Sequence, residues 1–340
     1  MNSVSGLEAV ANAWARLTGN EVGVDEVAYL IRQLHTTIGC HHGCTHCFAS
    51  PPLRRTTMAL SGFARLASEF GTVAYRTGRA YEFLFLGSAT DPSAVPQFAS
   101  YLEVWIDALP VWSLSRLYTH GWLLDDPRQQ AELEATRRVL ADRIGKVEMV
   151  NVSIDSYSRL ARTNPGAYVV NVATNLRKLI EAVGMQKLRL HILYPVVRPA
   201  AATETLLWAI QPDLTMEQAR NTLERFSQPA DRTCAEVTAM VLRIGAAAGF
   251  TVEQTISRSR DAGLPMAAGR GTTLFRDFPD SHREEGLAWY RRKALPRLDT
   301  TMGLQVYPNG TVQVVDYDGY RIGPWLDNGA KVVQYLEVTE

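Results

Sequence analysis

The chain has 340 residues, is 46% hydrophobic, and balances 35 basic against 35 acidic side chains for a formal net charge of zero. That length allows one large catalytic domain with a small appendage, and the neutral charge provides no global basic field to recruit nucleic acid. No apolar run is long enough to span a bilayer, nothing at the N-terminus reads as a signal peptide, and four cysteines, three of them on one loop, exclude a disulfide scaffold and point to a reducing cytoplasm.

Apolar residues spaced i, i+3 and i+4 predict helices over 7–17 and 24–34. A strand is expected at 34–38, and it leads into Cys40-His-His-Gly-Cys44-Thr-His-Cys47, a C-x3-C-x2-C loop. Thiolates this close in sequence converge on one small object, and three on a single loop suit a 4Fe–4S cluster, which normally takes four cysteine ligands. With only three offered, one iron keeps an open coordination position where a small molecule binds and reacts. A structural zinc site completed by His41, His42 or His46 is the alternative, although such sites usually combine two well-separated short ligand pairs and no second pair exists here. A set of disulfides is the other, but cysteines two or three residues apart pair poorly.

Further strands are predicted at 81–86, 115–119, 147–154, 188–195 and 250–256. Helices are predicted at 59–70, 92–107, 127–143, 167–183 and 235–248. Six strands alternating with helices favour an α/β fold with a parallel sheet. Between 195 and 250, a loop at 198–204 and an extra helix at 215–226 read as an insertion of the kind that shapes a substrate mouth. From 264 to 271 the chain is a turn-rich linker. A hairpin around Asn309-Gly310, a second turn at Asp318-Gly319 and a closing helix near 330–336 are then expected. The organisation predicted is an N-terminal helical segment over 1–33, a catalytic domain over 34–262 and an extension over 263–340.

Polar residues gather where the predicted strands end. Gly87 permits close backbone approach, and Ser88, Thr90 and nearby carbonyls can hold an ammonium group; Asp91 or Ser93 alternatively caps the following helix. Alternation over 150–156 places Asn151, Ser153 and Asp155 on one face, with Val152 and Ile154 on the other. The same rule puts Arg189, His191 and Leu193 on one face of the next strand. Cys234 is either a small buried hydrophobe or a thiol able to return a hydrogen atom to a substrate radical. Asp316 and Asp318 are turn carboxylates, solvated or facing a polar substrate.

The cysteine loop after a strand resembles the signature of the radical S-adenosylmethionine superfamily. The tail resembles the C-terminal extension of its SPASM and twitch branches, here with no cysteine after Cys234 to hold an auxiliary cluster. The resemblance covers about 34–330. It implies a partial (β/α)6 TIM-like barrel with a short N-terminal helical segment and a small hairpin-containing extension. Cys40, Cys44 and Cys47 would hold one 4Fe–4S cluster, and S-adenosylmethionine would bind the remaining iron and be cleaved to a 5′-deoxyadenosyl radical.

It further implies that His46, in place of the usual aromatic residue, and Phe48 lie near the adenine. Gly87, Ser88, Thr90 and Asp91 occupy the place of a Gly-Gly-Glu segment that holds the methionyl amino group, although no Glu follows here. His120 replaces the Asn of a Thr-Asn-Gly segment. Ser153 and Asp155 correspond to residues that contact ribose, cofactor carboxylate or substrate, and Arg162 to one that pairs with the cofactor carboxylate. His191 lies on a strand with one face toward the cofactor. The implied partners are a small polar substrate (a sugar, aminoglycoside or nucleoside of natural-product biosynthesis) and an electron donor such as flavodoxin or ferredoxin. A peptide-modifying maturase and a non-enzymatic metal-binding protein are the alternatives.

Overall fold

The structure, a computed structural model, describes residues 5–40, 42–44, 56–81, 85–86, 91–113, 115–155, 157–193, 232–258, 302–308, 310–316 and 332–334. Helix α1 (Gly6–Thr18) begins where Ser5 Oγ accepts the Glu8 amide, and it ends at Gly19, whose φ of 77° is the left-handed conformation a glycine adopts without strain. The Glu69 carboxylate accepts the first two amides of α1, from Gly6 at 2.9 Å and Leu7 at 2.7 Å. An acidic group at that end also complements the helix dipole.

Helix α2 (Val24–Leu30) is shorter than the predicted 24–34, and its last turn is replaced by strand β1 (Ile31–Leu34). Two parallel neighbours explain the change: Leu34 pairs with Leu86 of β4 (Phe85–Leu86) on one side and Val306 of β8 (Met302–Val306) on the other. A central position in a sheet overrides local helical spacing. The strand expected at 34–38 therefore starts earlier, and its end survives as the short β2 (Thr37–Ile38), antiparallel to β3 (Thr56–Thr57).

Helices α3 (Leu60–Thr77) and α4 (Phe98–Ala108) pack backbone to backbone: a Cβ on Gly71 would lie 2.1 Å from the Ala108 carbonyl oxygen. Phe63, Phe70 and Phe98 are fully buried in this contact region, each worth about 1.5–3 kcal/mol in transfer free energy.

A three-stranded parallel sheet carries the rest of the α/β layer. Its order is β5 (Ser115–Thr119), β6 (Val147–Asp155), β7 (Leu188–Leu193). The connections run through α5 (Pro127–Asp142), then α6 (Arg159–Thr163) and α7 (Pro165–Val183). Val150, Val152, Ile154, Leu190 and Ile192 are fully buried, and these apolar positions of the sheet join one core with α5, α7 and the following helix, α8 (Arg232–Ala248). The other face of β6 is polar, as the alternation of its sequence requires. The described residues are thus α/β, with a parallel three-stranded sheet.

Two predicted elements change type. The strand expected at 250–256 is helix α9 (Val252–Arg258). Thr251 Oγ1 accepts the Gln254 amide at 3.1 Å while Gln254 Oε1 accepts the Thr251 amide at 2.8 Å. This reciprocal capping box outweighs the β-branched residues around it. The helix expected near 330–336 contains strand β10 (Val332–Gln334), which pairs antiparallel with β9 (Thr311–Asp316) and completes the five-stranded order β10-β9-β8-β1-β4. The hairpin itself is as expected: β8 and β9 are antiparallel, and Gly310 at the turn has φ of 76°. The extra helix predicted at 215–226 and the linker at 264–271 lie outside the described residues.

Among the described residues no helix is long and apolar enough to cross a membrane.

Candidate functional site

Strand β1 delivers the chain to the cysteine loop. His35 follows β1 directly; its amide donates to the Val306 carbonyl at 2.9 Å, and its ring stacks on Tyr307 with centroids 4.6 Å apart. The C-terminal hairpin therefore braces the strand that positions the cysteines. Burial lowers the His35 imidazole to about 4, a shift that the Gln305 hydrogen bond at 3.3 Å only partly offsets.

The loop then turns at Gly39 (φ 107°) and Gly43 (φ 57°), conformations that favour glycine. Cys40 is half-buried and Cys44 buried. The loop backbone is held from one side by α6: the Arg159 amide donates to the His42 carbonyl at 3.0 Å, and Arg162 Nη2 donates to the Gly43 carbonyl at 3.2 Å. Arg162 Nε also donates to the Tyr157 carbonyl at 3.1 Å, so the guanidinium bridges loop and helix start. The resemblance implied a carboxylate partner for this arginine; its described partners are two backbone carbonyls.

Asp155 ends β6 and fixes where α6 begins. Its Oδ1 accepts the amides of Tyr157 at 2.7 Å and Ser158 at 2.8 Å, and its own amide donates to the Tyr168 hydroxyl at 3.0 Å. Its Oδ2 lies 3.1 Å from His120 Nδ1. Burial and then the Asp155 carboxylate push the Tyr168 phenol well above its ordinary value, against the opposing hydrogen bond from the Asp155 amide.

From the other side, His42 Nε2 lies 2.9 Å from Ser93 Oγ and 3.4 Å from Asp91 Oδ1. Asp91 accepts the Ser93 amide at 2.9 Å, the Thr119 hydroxyl at 3.2 Å and the His120 amide. Burial alone would raise the Asp91 carboxyl, but the His42 and His120 imidazoles and the His120 amide hold it well below the usual carboxylate range. For His120, burial opposes the charged form, yet Asp155 and Asp91 prevail and raise the imidazole. The His42 and His120 rings stand 5.6 Å apart. Five chain segments thus converge on one buried charged network against the cysteine loop.

Ser153 and His191 also come together, with Oγ 3.5 Å from Nδ1, on the polar face of the sheet. Cys234 is in the first turn of α8 and Asp316 is the last residue of β9, but their side chains lie outside the described residues. His46, Cys47, Phe48, Gly87, Ser88, Thr90 and Asp318 lie outside them entirely. Sequence reasoning missed the part played by His42, Thr119 and Tyr168. The position of His42 between two cysteines was a signal for it, whereas nothing in the helical spacing around Tyr168 marks that phenol.

No family model, no curated protein and no solved structure matches this chain. Among the described residues no three His, Cys, Asp or Glu side chains are grouped so as to hold a metal ion. The donors the loop brings are soft thiolates, Cys40 and Cys44, and His42 Nε2 is already engaged by Ser93. Thiolate donors of this kind suit iron–sulfur clusters and zinc alike.

Proposed function

We propose that the chain is a radical S-adenosylmethionine enzyme, built on a partial (β/α)6 barrel, that abstracts a hydrogen atom from a small polar metabolite. The observation that carries this reading is the tethering of the C-x3-C-x2-C loop to the start of α6. The bonds to the His42 and Gly43 carbonyls bring the loop to the C-terminal edge of β6. In open parallel sheets ligands bind outside the carboxyl ends of the strands.

Cys40, Cys44 and Cys47 would hold the cluster. When bound, it supplies the electron that cleaves S-adenosylmethionine to the 5′-deoxyadenosyl radical. The chain's own residues do the rest. His42, Asp91 and His120 lock the loop against β5, Asp155 sets the entry of α6, and the polar face carrying Ser153 and His191 orients what binds there. Removing one partner of such a buried pair leaves the other charge unpaired, so the network fixes the loop's geometry. An external electron donor of the flavodoxin or ferredoxin type would reduce the cluster, and the reaction outcome would be an epimerisation, dehydration, decarboxylation or dehydrogenation.

Anaerobic reconstitution with iron and sulfide tests the ligand set. The wild-type chain should retain a cluster's complement of iron, and single Cys→Ala variants at 40, 44 and 47 should each lose it. Retention of iron by all three variants would end this reading.

A further inference from the structure

Asn151, in the middle of β6, is fully buried, and neither its carboxamide oxygen nor its nitrogen has a hydrogen-bond partner. Among the described residues it is the only side chain with two such atoms. Leaving both halves of a buried amide unsatisfied is costly, so a fold keeps such a group where something else satisfies it.

Its surroundings show where that something would come. In the register of the parallel sheet, Asn151 lies beside Tyr118 of β5 and Arg189 of β7, and Ser153 lies beside His191. Residues in register on parallel strands project to the same face. Strands two apart are separated by about 10 Å, yet the Tyr118 and His191 rings meet edge to face with centroids 6.4 Å apart. The two rings therefore lean toward each other across β6, on the face that carries Asn151 and Ser153. Tyr118 is 39% exposed, so the ring pair borders solvent. The opposite face of β6, with Val150, Val152 and Ile154, is packed core.

A carboxamide offers a donor and an acceptor side by side and matches a ligand edge with the complementary pair, as a nucleobase or other cyclic amide has. The phenol ring of Tyr118 supplies a flat surface on which such a ring stacks. We infer that Asn151 reads the amide edge of a nucleobase-type substrate that parts the Tyr118 and His191 rings as it enters. This rests on the function proposed above and narrows its substrate to nucleoside-type metabolites.

The test uses the full reconstituted chain, with uridine and cytidine as probes and methyl β-ribofuranoside as the control lacking a base. One of the nucleosides should bind at least about tenfold more tightly than the riboside, and Asn151→Leu should remove that advantage, as expected for a site built to hydrogen-bond its ligand. The affinity for S-adenosylhomocysteine should stay unchanged in the variant. Without ligand, Asn151→Leu should melt about 2 °C or more above wild type, because an apolar side chain of similar shape removes two unsatisfied atoms.

Equal binding of nucleosides and riboside, or nucleoside binding unaffected by the substitution, overturns the inference. So does an equal loss of S-adenosylhomocysteine affinity, since the amide would then be reading the cofactor's adenine. A variant that melts below wild type overturns it as well, because the amide would then have a protein partner. Failure to hold iron or cleave S-adenosylmethionine counts against the proposed function alone, and the nucleoside-binding and melting measurements remain readable in that event.

Discussion

Arg162 donates to the carbonyl of Gly43 at 3.2 Å across 119 residues of chain, joining the helix after β6 to the turn between two cysteines. With its second bond to Tyr157, the guanidinium acts as a strut between the cysteine loop and the end of the parallel sheet. Arg162→Ala should lower iron retention while costing only about 1 kcal/mol of stability, since these are neutral acceptors at an exposed position. Arg162→Lys should not restore retention, because an ammonium cannot reproduce the two-ended geometry. Iron content alongside urea denaturation checks this, and an unaltered iron content in the Ala variant would remove the strut.

Asp91 is the hub of the buried network, and replacing it with Asn should cost about 3–5 kcal/mol by leaving His42 and His120 without their carboxylate. The folded-state Asp91 carboxyl is depressed, so its contribution is present above the unfolded value of 3.8 and is lost only as pH falls through a still lower folded value. The loss on Asp91→Asn should therefore be the same at pH 5 and pH 7 as far as this carboxyl is concerned. A loss below 1 kcal/mol in denaturant titrations would mean that the network is not cooperative.

His120 titrates in the opposite sense. Its imidazole is raised in the fold, so the stability it contributes is complete below the unfolded value of 6.5 and disappears as pH rises through the higher folded value. Denaturant midpoints of the wild type should accordingly fall as pH rises above 6.5, and this slope should be absent from His120→Gln. A slope retained by the variant would assign it to another group.

His35 gives an acid limb of its own. Its value is lowered from 6.5 to about 4, so the neutral ring is favoured in the fold and protonation destabilises it. The contribution is complete above pH 6.5 and is lost progressively toward pH 4, by up to about 3 kcal/mol. His35→Phe keeps a ring against Tyr307 and should flatten that limb, as read from urea midpoints across this range.

Gly71 tests the packing behind the site. A methyl at this position meets the Ala108 carbonyl at 2.1 Å, so Gly71→Ala should destabilise the chain by about 1–3 kcal/mol despite the better helix propensity of alanine. A rise in melting temperature would mean that α3 and α4 separate more easily than their contact indicates.

Much of this was readable from residue spacing, and the exceptions have physical causes. Strand β5 is where 115–119 was expected, and 147–154 extends by one residue to Asp155, because alternating or continuous apolar runs bounded by caps leave little choice. The last turn of the helix predicted over 24–34 became β1 because pairing with β4 and β8, the latter about 270 residues away, is invisible to a local window. At 250–256 the signal was present but misweighted: Thr251-Val-Glu-Gln254 is a capping box, and it governs over the β-branched residues. For the site, the cysteine spacing and the polar face of β6 were legible, whereas the contacts that join His42 to Asp91 and Asp155 to Tyr168 depend on tertiary placement.

Incubation of the anaerobically reconstituted chain with S-adenosylmethionine and dithionite, followed by measurement of 5′-deoxyadenosine, decides whether the chain performs radical chemistry. The wild-type chain should form it, and the variant with Cys40, Cys44 and Cys47 all changed to Ala should form none. An iron-loaded wild-type chain that yields no 5′-deoxyadenosine, or a purified chain that holds zinc at those thiolates, would contradict the radical chemistry.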